Sequence, residues 1–276
     1  MDKNQHDDFE GYSPNEMHLL LYWLYERGCP VQLKPLEAKD CGLSPLFRQV
    51  NYLIETLQQE GKLKLTATGK LPPKLVKELY PLGYPEYTIE KGISKLSKET
   101  DSESVQLVHI LLKLSRIVKE QKQVMTLTKN GQKITLDDNQ LIQELMLSFS
   151  LKYNLAYLDA FQSETIGGLG IGYTLLLLSK YGETWRTHLF YAEKYFKAFP
   201  FLLEDCHSPY RSPLEVGASC YSSRVFLRFL LKMGLIDYSS RWEQYTEIIQ
   251  IKKTPLFDNW ISVTAPGRPS DPTSGE

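Results

Sequence analysis

Arg48, Gln49 and Asn51 stand at the start of an apolar-periodic stretch. Their side-chain types pair with base edges, arginine with guanine and the two amides with adenine. Lys62, Lys64 and Lys70 follow in a turn-rich segment and are of the type that neutralises phosphate. Together the six point to duplex DNA; the competing reading of the same residues is a solvated lysine face on a helical protein. Residues 61–133 hold 14 Lys and Arg against 7 Asp and Glu, and residues 44–77 carry Arg48, Lys62, Lys64, Lys70, Lys74 and Lys77 against Glu55 and Glu60.

Enzymatic constellations fare worse. Gly167–Thr174 imitates a phosphate loop, but Tyr173 stands where a lysine must reach the β/γ-phosphates and no apolar strand precedes it. Cys206 and His207 are adjacent, and a nucleophile and its base must meet through the fold rather than along the chain. Glu204–Asp205 and Asp137–Asp138 are paired in sequence only, and the second pair fits helix capping. Histidines at 6, 18, 109, 188 and 207 show no metal-ligand spacing, and neither do Cys29, Cys41, Cys206 and Cys220. No catalytic residue, metal site or cofactor is expected. The four cysteines in 276 residues fit reduced thiols rather than a disulfide framework.

The elements that would position the basic residues are legible from periodicity. Ser13, Pro14 and Glu16 form a capping box ahead of Met17, Leu20, Leu21 and Leu24, with Gly28 as the stop. After CGLS, Ser44 caps a helix whose stripe is Leu46, Val50, Leu53, Ile54 and Leu57, leaving Arg48, Gln49, Asn51, Glu55, Thr56 and Gln59 on other faces. Gly61 ends it and KLKLT follows as a short strand. Helix, short helix, glycine turn, helix, strand is the order of a winged helix-turn-helix.

Farther on, SVQLVHILLKLSRIV is apolar nearly all round and predicts a buried helix, followed by a hairpin with KEQKQ at its tip. A long helix is predicted over NQLIQELMLSFSLKYNLAYLDAF, core helices over TLLLLSKYG and WRTHLFYAEKYFKAFP, and a surface loop over DCHSPYRSPLEVGAS. Helical spacing of Trp185, Leu189, Phe196 and Phe199 predicts core packing, with the neighbouring tyrosines at a rim.

A pattern recurs three times: an apolar helix end, a strand, a polar tip and a returning strand ending in Thr66, Thr128 or Thr254. Gly69, Gly131 and Phe257 stand three residues beyond those threonines. In the third unit the wing carries Asp237, Glu243 and Glu247, which would repel phosphate, so DNA contact is expected in the first unit alone. The segments LTATGKLPPKLVKEL, LTKNGQKI, NLAYLDAF, AFPFL, FLRFLLKMGLID and TPLF resemble the helical region of the plasmid Ri open-reading-frame-three-like proteins, over roughly residues 63–260. Those are uncharacterised proteins associated with bacterial plasmids and mobile elements. The family's β-rich domain has no counterpart here. The resemblance implies a winged-helix fold in a bacterial setting and supplies no catalytic residues.

Composition sets the frame: 42% hydrophobic, 24% charged and a formal charge of −1 describe a globular chain with no global field for polyanions. The first ten residues have no basic or apolar run, so no signal peptide is expected, and the purest apolar run, Leu175–Leu178, is far too short to cross a membrane. The reading is a mainly α protein: a winged helix-turn-helix N-terminal unit plus a helical region with two further small β-hairpin wings. Expected bounds are 1–84, 85–138 and 139–261, with a disordered tail at 262–276. The expected role is a cytoplasmic, non-enzymatic binding module that contacts duplex DNA through Arg48, Gln49, Asn51, Lys62, Lys64 and Lys70; the alternative is a protein-interaction scaffold.

Overall fold

The computed structural model describes residues 7–157, 159–243 and 246–267. Helix α1 (Pro14–Tyr22) and strand β1 (Val31–Leu33) precede helices α2 (Ala38–Cys41) and α3 (Pro45–Glu60). Strand β2 (Leu63–Lys64), helices α4 (Pro73–Leu79), α5 (Tyr87–Glu90) and α6 (Glu103–Leu114), and strands β3 (Val118–Gln121) and β4 (Val124–Leu127) come next. Helices α7 (Lys129–Ile134), α8 (Asp138–Leu151) and α9 (Ile171–Tyr181) lead to strand β5 (Arg186–Thr187). Helices α10 (His188–Ala198) and α11 (Pro213–Tyr221) follow, and a π-helical run (Ser222–Leu230) passes into α12 (Leu231–Met233). Strands β6 (Ile236–Glu243) and β7 (Thr246–Lys253), helix α13 (Pro255–Trp260) and strand β8 (Ile261–Val263) complete the order. The fold is mainly α with small antiparallel sheets.

Two compact units divide the chain, one of residues 35–153 with 232–234, the other of 1–34, 154–231 and 235–276. These cuts differ from those expected at 84 and 138. The physical reason is strand pairing: β2 joins the sheet of β3 and β4 rather than a hairpin of its own, so residues on both sides of 84 share one core.

In the 35–153 unit, Ser44 caps α3 by accepting from the Phe47 amide, and the predicted stripe of Leu46, Val50, Leu53, Ile54 and Leu57 is buried. Helix α6 packs against α3 on one side and α8 on another, which buries Val105, Leu107, Val108, Leu111 and Leu112. The sheet order is β2-β4-β3, all antiparallel. Helix α8 stops at Leu151, ten residues short of the predicted end, and Asn154 Oδ1 then accepts from the Ala156 amide in a local turn.

In the other unit β1 pairs antiparallel with β8, so Ser262 and Val263, at the head of the tail expected to be disordered, are strand residues. The rest of that tail from 268 lies outside the described residues. Gly172 lets α9 meet α1 closely, since a Cβ there would strike the Leu20 carbonyl oxygen at 2.7 Å. Tyr191 and Tyr195 are buried with Phe196 and Phe199, whereas Trp185 and Leu189 are exposed, so the inward face of α10 is rotated from the one predicted. Tyr195 stacks on Tyr221 at 4.3 Å, and the Tyr221 hydroxyl is 2.8 Å from that of Thr174. The second three-stranded sheet has order β5-β7-β6. Helix α11 begins inside the segment predicted as a loop and runs past its end: Ser212, Pro213 and Glu215 make a capping box of the same kind as Ser13, Pro14 and Glu16.

The repeat therefore has two copies, not three. Setting aside the one-turn α5 of the first copy, and taking α11, the π-helical run and α12 of the second as one helix, each runs helix, short strand, helix, helix, hairpin, capped helix: α3 to α7, and α9 to α13. The correspondence reaches individual bonds. The Ile117 amide donates to the Leu112 carbonyl and the Leu235 amide to that of Leu230, with Arg116 and Gly234 at positive φ just before, the same helix C-cap twice. The Thr128 amide donates to Ile117 and the Thr254 amide to Leu235. The hydroxyls of Thr128 and Thr254 then accept from the amides of Gly131 and Phe257, so the three-residue interval seen in the sequence is an N-cap reaching the third helical residue. Thr66 differs: its hydroxyl accepts from the Lys70 amide in a turn after β2.

Candidate nucleic-acid interface

The six residues expected to face DNA separate into two groups at opposite ends of α3, roughly 18 Å apart at 1.5 Å per helical residue. At the N-terminal end, the Arg48 guanidinium is exposed and donates to the carbonyls of Leu82, at 3.0 Å, and Gly42, at 3.1 Å, tying α3 to two turns. The Asn51 side chain donates to Glu55 at 2.8 Å. Gln49 does not face solvent. It is 1% exposed, and its amide donates to the Leu79 carbonyl at 3.1 Å and to Ser104 Oγ at 3.3 Å. Successive residues on a helix turn by about 100°, so an exposed Arg48 carries its neighbour toward the core.

At the other end stands the three-stranded sheet. Its inner face is Leu63, Val118 and Met125, all buried, because strand side chains alternate. Its outer face is Lys64, Lys119, Gln121, Val124 and Thr126, in two cross-strand rows: Lys64 and Gln121 flank Val124, and Lys119 pairs with Thr126. Lys62 lies just ahead of β2. Lys122 and Gln123 form a two-residue turn between β3 and β4, both at positive φ, 49° and 60°. Non-glycine residues in that conformation store strain. Lys62, Lys64, Lys119 and Lys122 are all exposed and make no ion pair among the described residues. Lys70 is half-buried and lies 3.4 Å from Glu99.

The sheet's carboxylate is spent on its inner side. His109 on α6 holds Glu99 through Nδ1 at 2.8 Å and Glu120 through Nε2, and Lys113 bonds the second oxygen of Glu120 at 2.8 Å. Burial opposes the His109 charge, but the two carboxylates outweigh it and push the imidazole above its usual range. Burial likewise opposes ionisation of Glu99 and Glu120, yet bonds from His109, with the Leu71 amide for Glu99 and Lys113 for Glu120, hold both below the usual carboxylate range. The outer face thus keeps its lysines while the neighbouring negative charge is neutralised beneath it. Periodicity missed Lys119 and Lys122 because KEQKQ reads as a polar tip; alternation across a hairpin turning at Lys122–Gln123 is the signal that places them.

The other sequence candidates do not assemble. Cys206 is buried, its thiol directed to the Leu202 carbonyl, and burial pushes it up, away from thiolate. Thr174, the hydroxyl of the phosphate-loop imitation, is fully buried against Tyr221. Among the described residues no group of three or more His, Cys, Asp or Glu side chains could hold a metal ion, and no helix is long and apolar enough to cross a membrane.

Residues 42–140 match the family model described as the Y4jL N-terminal domain, a description that names no activity. The match covers about a third of the chain, lies inside the 35–153 unit and contains all three strands of the basic sheet. Neither a curated protein nor a solved structure matches the chain.

Proposed function

We propose that residues 45–134 form a winged-helix-type module that binds nucleic acid through its wing sheet, without reading sequence. Apart from the one-turn α5, the order helix, strand, helix, helix, strand, strand with the last strand central resembles that of a winged helix, with α6 in the place of the groove-reading helix. That helix is buried on several sides, which leaves phosphate contact as the available mode. The observation that carries the reading is the outer face of the sheet, where the exposed Lys64 and Lys119 stand on the two edge strands, with Lys62 just ahead of β2 and Lys122 in the β3–β4 turn, none of them in an ion pair among the described residues. The exposed Glu60, two residues before Lys62, is the nearest carboxylate in sequence on the β2 side. Arg48 and Asn51 take no part. The wider likeness to plasmid Ri open-reading-frame-three-like proteins is compatible with such a role.

The test is binding of the full chain to random duplex DNA across a salt series. Each lysine–phosphate contact adds about 0.9 to the slope of log affinity against log salt, so Lys64→Ala/Lys119→Ala lowers it by about 2, while Arg48→Ala leaves it unchanged. Absence of binding at low salt refutes the proposal and favours the scaffold reading, which the enclosed α6 also suits.

A further inference from the structure

The second copy of the repeat departs from the first in one place that matters. Counting from the shared C-cap, Leu227 takes the position of His109, each three residues before Leu230 or Leu112. Tyr238 takes that of Glu120, three residues after Leu235 or Ile117. The first copy ties helix to sheet with a charged imidazole. Among the described residues the second copy has no such bridge, and Leu227 lines a cavity of about 610 Å³ enclosed by residues 187–189, the helix of residues 213–230 and the far part of the β6–β7 hairpin. That size lies within the range of small-molecule sites, about 300–1,000 Å³.

Its walls define what fits. Leu227 and Ile249 supply apolar surface, and Trp242, 72% exposed, offers an indole plane at the mouth. The His188 ring donates through Nδ1 to the Ile249 carbonyl at 3.4 Å. Burial pushes its pKa below the usual imidazole range and so favours the neutral ring, in which Nδ1 is the donor and Nε2 an acceptor. Ser222 lines the cavity at the start of the π-helical run, is 2% exposed, and has a buried hydroxyl with no hydrogen-bond partner. A buried unpaired hydroxyl in a cavity wall is a group awaiting a partner, and π-helical turns recur at functional sites. The charged lining residues, Arg211, Glu215 and Glu247, sum to −1, which disfavours an anion.

We propose that this cavity binds a neutral, planar heteroaromatic molecule, stacked on Trp242 and hydrogen-bonded to Ser222 and His188. The site is independent of the basic sheet. The experiment titrates the full chain with adenine and with nicotinamide as neutral probes and with benzoate as the anionic control, read by ligand-observed NMR and tryptophan fluorescence. At least one neutral probe is expected to saturate below about 5 mM. Leu227→Trp, which fills the cavity, weakens it by about tenfold or more, and Trp242→Ala, an exposed position that leaves the fold intact by circular dichroism, does the same. Failure of both neutral probes to saturate, binding unchanged in Trp242→Ala, or benzoate binding as tightly as the neutral probes overturns the proposal.

Discussion

An imidazole with a carboxylate at each ring nitrogen, buried to 4% exposure, makes His109 the most consequential single titrating group of the 35–153 unit. Its folded value is raised above the 6.5 of the unfolded chain. The stability it contributes is therefore complete below about 6.5 and is lost as pH rises through the folded value. Glu99 and Glu120 run the other way. Their folded values lie below 4.5, so their contribution is present above 4.5 and lost as pH falls through the folded values. Replacing His109 with Gln leaves two buried carboxylates without their cation and costs about 3 kcal/mol near pH 6. Urea denaturation of both proteins from pH 5 to 9 checks this: the gap is largest at the acid end of that range and narrows above neutrality, and a gap independent of pH contradicts it. In the other unit the buried charge is at a different position, Arg224. Fully buried, it holds both Asp159 oxygens, at 2.6 and 2.8 Å, and donates to the Ile166 carbonyl at 2.9 Å. Burial raises the Asp159 carboxyl, but Arg224 outweighs that and holds it low. Asp159→Ala strands a buried guanidinium and costs about 3–5 kcal/mol, measured as a fall in denaturation midpoint at unchanged slope.

At the scale of elements, the two threonine caps are where sequence and structure agree most closely. Thr128→Ala and Thr254→Ala each remove an N-cap at the exit of a sheet, at a cost of about 1 kcal/mol by thermal or urea unfolding; a loss near zero in both would mean that strand pairing alone sets the helix start. Gly131→Ala costs more, about 2–3 kcal/mol, because a Cβ there collides with the Ile117 carbonyl oxygen. The long helices were legible because their apolar periods are long: the stripe of α3 and the all-round apolarity of α6 each predict the burial observed. Two features escaped for different reasons. Helix α11 was hidden by the Pro, Ser and Gly around it, although Ser212-Pro213-x-Glu215 repeats the box that marks α1. The inward turn of Gln49 was illegible because its partners, Leu79 and Ser104, lie 30 and 55 residues away and make a polar side chain welcome in the core. Strands of two residues, β2 and β5, carry no period at all, so sheet membership, and with it the number of repeats, had to come from pairing.

At the scale of the whole molecule, the chain order of the two units is itself an argument. All but residues 232–234 of one unit come from the continuous segment 35–153, whereas the other unit is built from chain on both sides of that segment, with β1 paired to β8. A continuous unit with its own sheet, caps and apolar core meets the requirements of an independent domain inserted into a host. Its interior, from Leu46 on α3 through Val108 on α6 to Met146 on α8, is buried, and α6 packs against both α3 and α8 of the same segment. Residues 35–153 expressed alone are predicted to unfold cooperatively in urea, with a slope of about 1–3 kcal/mol per molar. The basic outer face lies wholly inside this segment, so the fragment is also predicted to keep the salt slope of the full chain on duplex DNA. A fragment that folds yet shows no salt-dependent binding, when the full chain does, would place the polyanion contact outside the sheet of β2, β3 and β4.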